Sequence, residues 1–230
     1  MATIAANLQA VRSRIAHAAQ AAGRRTDAIA LIAVSKTFPA TAIAEAYAAG
    51  QRLFGENQAQ ESVEKVTELA RLPLEWHFIG PIQSNKTRSI AETFHWVHSI
   101  EREKIAARLA AARPAALPPL NVCIQVNLSG EASKSGVAPG GELALAEAIA
   151  SLPRLRLRGL MAIPAPTPDT ALRRRQFAAL RDLKERLVNR GVELDTLSMG
   201  MSDDLEAAIL EGATMVRVGT AIFGQRRRER

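Results

Sequence analysis

Eight short apolar runs recur along the chain, with amphipathic, helix-patterned stretches between them. The runs fall at 28–34, 52–57, 74–80, 95–100, 121–128, 155–163, 194–201 and 215–223. Consecutive apolar positions, as in Leu31-Ile32-Ala33-Val34, belong to strands covered on both faces, and strands separated by helices pair in parallel. The intervening stretches predict helices over 41–49, 59–70, 87–93, 101–112, 142–151 and 203–211. A further long helix turns Phe177, Leu180, Leu183 and Leu187 inward and stops at Gly191, while Val63, Val66 and Leu69 are the expected inner face of the 59–70 helix. Every strand but the last is followed by a helix, which predicts an α/β fold with a single closed (β/α)8 barrel of the TIM type. Ile4, Leu8, Val11 and Ile15 add an extra N-terminal helix within residues 1–23. No Gly-, Ser- and Pro-rich linker interrupts the chain, and Pro164, Pro166 and Pro168 are too few for a boundary, so residues 1–230 are expected to form one domain.

In such barrels the chemistry sits where strands end in βα loops. The polar residues of this chain fall there repeatedly: Lys36 after the first strand, Glu56-Asn57 after the second, Gln83 to Lys86 after the third, and Asn127 to Gly130 after the fifth. Ser198 to Ser202 and Gly219-Thr220 follow at the seventh and eighth, and the convergence predicts a ligand pocket. Lys36 is either a cation that marks a strand end or an amine in a shaped environment. Burial and a neighbouring cation would lower a lysine from its ordinary pKa of ~10.4 and free a nucleophile.

The loops after strands seven and eight are a frequent phosphate site. Ser202 offers a hydroxyl there, and backbone N–H groups near Met201 and at Gly219-Thr220 can approach an anion; the plainer reading of Ser202 is a helix N-cap. Asp203 and Asp204 read as first-turn acids that complement the helix dipole. Arg217, inside Met215-Val216-Arg217-Val218, needs a partner, because an unpaired buried cation costs several kcal/mol. An internal ion pair is the plain answer, and a guanidinium aimed at a ring nitrogen or a phosphate is the sharper one.

A net charge of +7 invites a nucleic-acid reading, but much of the excess lies in Arg173-Arg174-Arg175, read as a solvated helix face, and in a basic tail at 225–230. Nucleic acid is therefore not the expected partner. The lone Cys123 lies in an apolar run, which fits a core residue and excludes an intramolecular disulfide. No run approaches the ~18 apolar residues of a membrane span, and no basic-then-apolar leader opens the chain, so the cytoplasm is the expected compartment. His77 reads as a hydrogen-bonded core histidine. His95 and His98 read as neighbours on one strand face that would suit a metal, but no third ligand stands nearby. Lys134 sits in a loop that is phosphate-like in composition only, without the Walker spacing.

Ala33-Val34-Ser35-Lys36-Thr37, Phe54-Gly55-Glu56-Asn57, Trp76-His77-Phe78-Ile79-Gly80-Pro81-Ile82-Gln83-Ser84-Asn85-Lys86, Gly159-Leu160-Met161-Ala162-Ile163-Pro164, the segment from Leu197 to Ile209 and Val216-Arg217-Val218-Gly219-Thr220-Ala221-Ile222-Phe223-Gly224 closely resemble the YggS/PROSC family of pyridoxal phosphate homeostasis proteins. The resemblance implies a barrel similar to the N-terminal domain of alanine racemase. It implies that Lys36 holds pyridoxal 5′-phosphate (PLP) as a Schiff base and that Arg217 faces the pyridine nitrogen. Asn57 would lie near the ring, and Met201, Ser202, Gly219 and Thr220 would lie at the phosphate. Phe38 stands where many members have lysine, and Gln58 where many have tyrosine.

Racemisation needs a proton donor on each face of the bound amino acid. Alanine racemases take the second from a tyrosine of a further domain, whereas the only tyrosine here, Tyr47, falls in the helix after Lys36. An arginine at the pyridine nitrogen also weakens the ring as an electron sink. The expectation is a monomeric carrier or buffer of PLP that serves PLP-dependent apoenzymes, with no catalytic residues and no metal; a small PLP-dependent amino-acid racemase is the alternative.

Overall fold

The computed structural model describes residues 3–128, 135–138 and 140–225. The features noted at Ser129-Gly130, Lys134 and Arg226 to Arg230 lie outside them. Helix α1 (Ile4–Ala21) opens the chain behind Thr3, whose hydroxyl accepts from the Ala6 N–H, and it buries Leu8, Val11 and Ile15 as their spacing requires. Then β1 (Ala30–Val34), α2 (Ala40–Ala48), β2 (Leu53–Glu56), α3 (Ala59–Glu68), β3 (Glu75–Phe78), α4 (Thr87–Thr93), β4 (Trp96–Ile100) and α5 (Glu103–Ala112) alternate. The alternation continues through β5 (Leu120–Gln125), α6 (Glu142–Ala150), β6 (Leu155–Met161), α7 (Thr170–Val188), β7 (Thr196–Ser198), α8 (Leu205–Leu210), β8 (Met215–Val218) and α9 (Thr220–Phe223).

The strands close in sequence order into a parallel barrel, with β1 bonded to both β2 and β8. Leu31 and Ala33 pack into the outer core between barrel and helices, with Phe54, Phe78, Phe94 and Phe177. The alternate residues Ile32 and Val34 face the axis, where a Cβ on Gly55 would meet both. A second, small apolar cluster is formed by Trp96, Cys123 and Met161, with Met215 against them. Burial there pushes the Cys123 thiol up to about 12, which makes it an inert core residue.

Two departures matter for the site. The eighth run does not stay extended to Phe223. Its ladder with β1 ends at Val218, because β1 has turned away into the Lys36 loop, and Gly219 carries the chain into α9, with the Ile222 and Phe223 N–H groups donating to its carbonyl. On α3 the buried face carries Ser62 and Lys65, while Val63 and Val66 are half-buried. The reason is the acidic strand end behind it, described below. Among the described residues no helix is long and apolar enough to cross a membrane, and no group of three metal-ligating side chains occurs.

Candidate functional site

A cavity of about 370 Å³ opens at the C-terminal ends of the strands, the size of a small-ligand pocket. Lys36, Asn57, Met201, Ser202, Arg217, Gly219 and Thr220 line it, whereas Glu56, Gln83 to Lys86, Asn127 and Ser198, also noted at strand ends, do not. Ile79 and Ile163 add apolar wall, and the exposed Asp203 lies at the mouth. Lys36 continues the inward alternation of Ile32 and Val34 and is half-buried, not fully enclosed.

One wall of the cavity is set by a close approach. A Cβ on Gly80 would fall 2.2 Å from the Asn57 carbonyl oxygen, so only glycine lets the β3 loop press on that residue. Asn57 Oδ1 is buried without a partner among the described residues. At the edge of a polar cavity it is an acceptor that a ligand donor would satisfy.

The loop that carries Lys36 is strained and clamped. Thr37 has φ 68°, a left-handed conformation that costs a β-branched residue about 1–2 kcal/mol. Its N–H donates to Glu61 Oε1 at 3.0 Å, and Phe38 N–H donates to Ser35 O at 3.0 Å. Behind the loop, Lys65 Nζ donates to Ser35 O at 3.0 Å and to Glu56 Oε1 at 3.0 Å, and it pairs with Glu61 at 2.6 Å. Ser35 Oγ donates to the same Glu56 oxygen at 2.6 Å. Burial holds the Glu56 carboxyl above its ordinary range, with Ser35 and Lys65 pulling it back down. The sequence reading missed this cluster; its one local signal was the i,i+4 spacing of Glu61 and Lys65.

The β7 and β8 loops are held from outside. Arg14 of α1 donates from Nη2 to Ser202 O at 2.9 Å and grips Glu206 with Nε and Nη2. Arg173 of α7 donates to Asp203 O at 3.0 Å, and Asn7 donates to Ile222 O at 2.8 Å. Arg173 is therefore a brace, and Arg174 pairs with the buried Glu211 at 2.6 Å, so the arginine triplet is not simply solvated. Ser202 does not cap α8; its Oγ accepts from Ala221 N–H at 3.3 Å, joining the two loops. Asp204 takes the N-cap position, and its Oδ1 accepts from Met201 N–H at 2.5 Å. That N–H is thus turned to Asp204 and not left for an anion, and neither Asp203 nor Asp204 is in the first helical turn. Gly219 and Thr220 stand where α9 begins, ahead of the Ala221 N–H that is spent on Ser202 Oγ and the Ile222 and Phe223 N–H groups that are spent on Gly219 O.

Arg217 is 4% exposed and has neutral partners: Nη1 donates to Ser198 Oγ at 2.8 Å and Nη2 to Ala162 O at 3.0 Å. Among the described residues no carboxylate pairs with it, which overturns the internal ion pair. Desolvation lowers its pKa to about 10, with Asp204 opposing the shift, so it stays a cation. His77 is a buried, hydrogen-bonded core residue as read. His95 and His98 are three positions apart and do not share a face: exposed His95 accepts from Trp76 N–H at 3.0 Å, whereas His98 is buried beside Ser198. Tyr47 lies on α2 with the Arg52 guanidinium 4.0 Å over its ring and does not line the cavity. Phe38 stacks on Phe223 with ring centroids 5.1 Å apart, an aromatic contact.

Residues 6–227 match the family described as alanine racemase, N-terminal domain. The pyridoxal phosphate homeostasis protein of Pseudomonas aeruginosa PAO1 is 65% identical over 226 residues, 98% of this chain and 97% of that protein. That of Escherichia coli K12 is 57% identical over 229 residues, 97% of each. PipY of Synechococcus elongatus PCC7942, solved with PLP bound, superposes with a TM-score of 0.86 at 39% identity, covering 96% of this chain and 100% of that one. An alanine racemase from Corynebacterium glutamicum shares the fold at TM-score 0.69 and 19% identity, with 62% of its length covered.

Proposed function

Because the chain belongs to the family of pyridoxal phosphate homeostasis proteins, built on the alanine racemase N-terminal domain, we infer that it binds PLP and serves intracellular homeostasis of that cofactor. The observation that carries the reading is the meeting of a half-buried amine, Lys36, and a donor-only cation, Arg217, in one cavity with the β7 and β8 loops. Bound there, the cofactor supplies an electrophilic aldehyde on an electron-poor ring. Lys36 would be the tether for the aldehyde carbon, Arg217 would stand at the ring nitrogen, and Ser202, Gly219 and Thr220 would take the phosphate, with Met201 as cavity wall beside them. Asn57 Oδ1 accepts from the ring side of the ligand.

The chain is a carrier or buffer and not a racemase. Its one tyrosine is turned onto Arg52 away from the cavity, so no second-face proton donor of that type is at hand. Arg217 has only N–H donors to offer and would leave the ring nitrogen of a bound cofactor unprotonated, which would weaken carbanion stabilisation. It works in the cytoplasm as a monomer that yields cofactor to PLP-dependent apoenzymes and so influences amino-acid and keto-acid metabolism.

Borohydride reduction of PLP-loaded protein followed by peptide mapping tests the tether. Label on Lys36, and its loss in Lys36→Ala, is expected; label on another lysine, or normal PLP binding by Lys36→Ala, overturns the assignment. Incubation with a panel of amino acids in deuterium oxide tests the carrier reading, and rapid exchange at Cα would establish the racemase instead.

A further inference from the structure

Beneath the cavity a line of polar groups crosses the barrel interior, and the cofactor reading uses only its upper end, Arg217. Ser198 Oγ accepts from Arg217 Nη1 at 2.8 Å and lies 2.8 Å from His98 Nδ1. His98 Nε2 lies 3.0 Å from His77 Nδ1. His77 Nε2 lies 3.1 Å from Glu75 Oε1, close but off the axis of a good hydrogen bond, and the Glu75 side chain is 42% exposed. Four strands, β8, β7, β4 and β3, each contribute to a path that runs from the cavity to the solvated N-terminal end of β3.

Donor chemistry gives this path one direction. A guanidinium has N–H groups and no acceptor, so Ser198 Oγ must accept from Arg217, and its own hydrogen is left for His98 Nδ1. His98 then carries its proton on Nε2 and gives it to His77 Nδ1, which leaves the His77 proton on Nε2, facing the Glu75 carboxylate. The reverse order would set a bare His77 nitrogen against carboxylate lone pairs and strand the Ser198 hydroxyl hydrogen in a buried site. Burial lowers the pKa of both histidines, that of His98 well below its ordinary value with the His77 and Arg217 charges adding to the shift. Each ring also packs against Trp96, at 5.7 Å for His77 and 5.8 Å for His98.

We propose that Ser198, His98 and His77 form a one-directional hydrogen-bond chain that positions Arg217 at the cavity, with the Glu75 carboxylate as its electrostatic end and both histidines held as neutral Nε2–H tautomers. Two of the guanidinium donor directions are taken, at Ser198 Oγ and Ala162 O, so the plane is fixed and its remaining N–H groups are left for a ligand acceptor. Ser198 and His98 are positioning residues: they touch Arg217 directly or through one bond and do not line the cavity. The consequence for the ring nitrogen rests on the PLP reading, whereas the tautomers and the chain do not.

The test has two arms. Long-range proton–nitrogen correlation spectra of ¹⁵N-histidine protein without cofactor, assigned with His98→Gln, report the tautomers directly. Nε2–H patterns for His77 and His98 that do not titrate between about pH 6 and 8 are expected; an Nδ1–H tautomer at His98, or an ordinary histidine titration there, overturns the chain. In the second arm Ser198→Ala cuts the path and Ser198→Thr restores the hydroxyl. With PLP labelled at the pyridine nitrogen, Ser198→Ala is expected to weaken binding about tenfold and to move the ring-nitrogen signal, with Ser198→Thr returning both. Unchanged affinity and an unchanged signal in Ser198→Ala overturn the positioning role. Failure of the unmodified protein to take up PLP would refute the functional reading alone, since the tautomers are measured without it.

Discussion

Replacing Lys65 by methionine tests the reasoning about the cluster behind the Lys36 loop. The ammonium has three partners, Ser35 O, Glu56 and Glu61, and its side chain is only 8% exposed, with Glu56 at 0%. Removing one member of a buried pair strands the other charge, at about 3–5 kcal/mol. For a domain of this size that corresponds to a fall in Tm of roughly 6–20 °C. The partial exposure of Glu61, at 30%, favours the lower end. Urea unfolding is the assay, and adding Glu56→Gln to Lys65→Met should return at least half of the loss by removing the stranded charge. The deficit also has a pH signature. A carboxyl whose pKa is raised in the fold holds its proton better folded than unfolded. Its contribution is therefore present below the unfolded value of ~4.3 and is lost as pH rises through the folded value. Without Lys65 that folded value rises further, so the deficit should be larger at pH 8 than at pH 5. A loss under about 1 kcal/mol at pH 8, or no recovery in the double variant, would refute the account.

Other outcomes follow from the same geometry. His98 and His77 are neutral in the fold and charge more readily unfolded, so stability should be lost as pH falls below about 6.5 towards their lowered folded values, by up to about 1.4 kcal/mol per pH unit for each histidine; pH-dependent urea midpoints check this, with a flatter acid limb in His98→Phe. Arg14→Ala removes a half-exposed ion pair and the brace on Ser202 O, so it should cost under about 1 kcal/mol of stability yet lower PLP affinity several-fold, as read by equilibrium dialysis. Thr37→Gly relieves the left-handed residue after Lys36 but loosens the unfolded chain, so stability should change by under about 1 kcal/mol while PLP release quickens, measured by transfer to an apoenzyme acceptor.

Much of the site was legible because its residues break a pattern. Lys36, Ser202 and Arg217 are polar positions at the ends of, or within, apolar runs, and the barrel rule sends strand ends to one rim. What was misread depended on partners distant in sequence. Arg217 has a hydroxyl and a carbonyl in place of the ion pair that was the plainer of its two readings, and Met201 gives its N–H to Asp204. Lys65 looks like an ordinary helix-surface lysine until Glu56 and Ser35 are brought beneath it.

The chain's own periodicity was enough to specify the barrel: apolar runs without alternation have no solvent face, and eight of them interleaved with helices have a closed parallel sheet as their natural burial. The same local pattern placed Lys36 at a strand end. Which groups share a proton, which charge stands alone and which loop is braced were decided only by closure of the fold. Closure sets Ser198 of β7 between His98 of β4 and Arg217 of β8, and α1 against the Ser202 turn. Hydrogen bonds and desolvation act over about 3 Å in space and are indifferent to distance along the chain; for that reason the amine could be found in the sequence, and the polar chain beneath it could not.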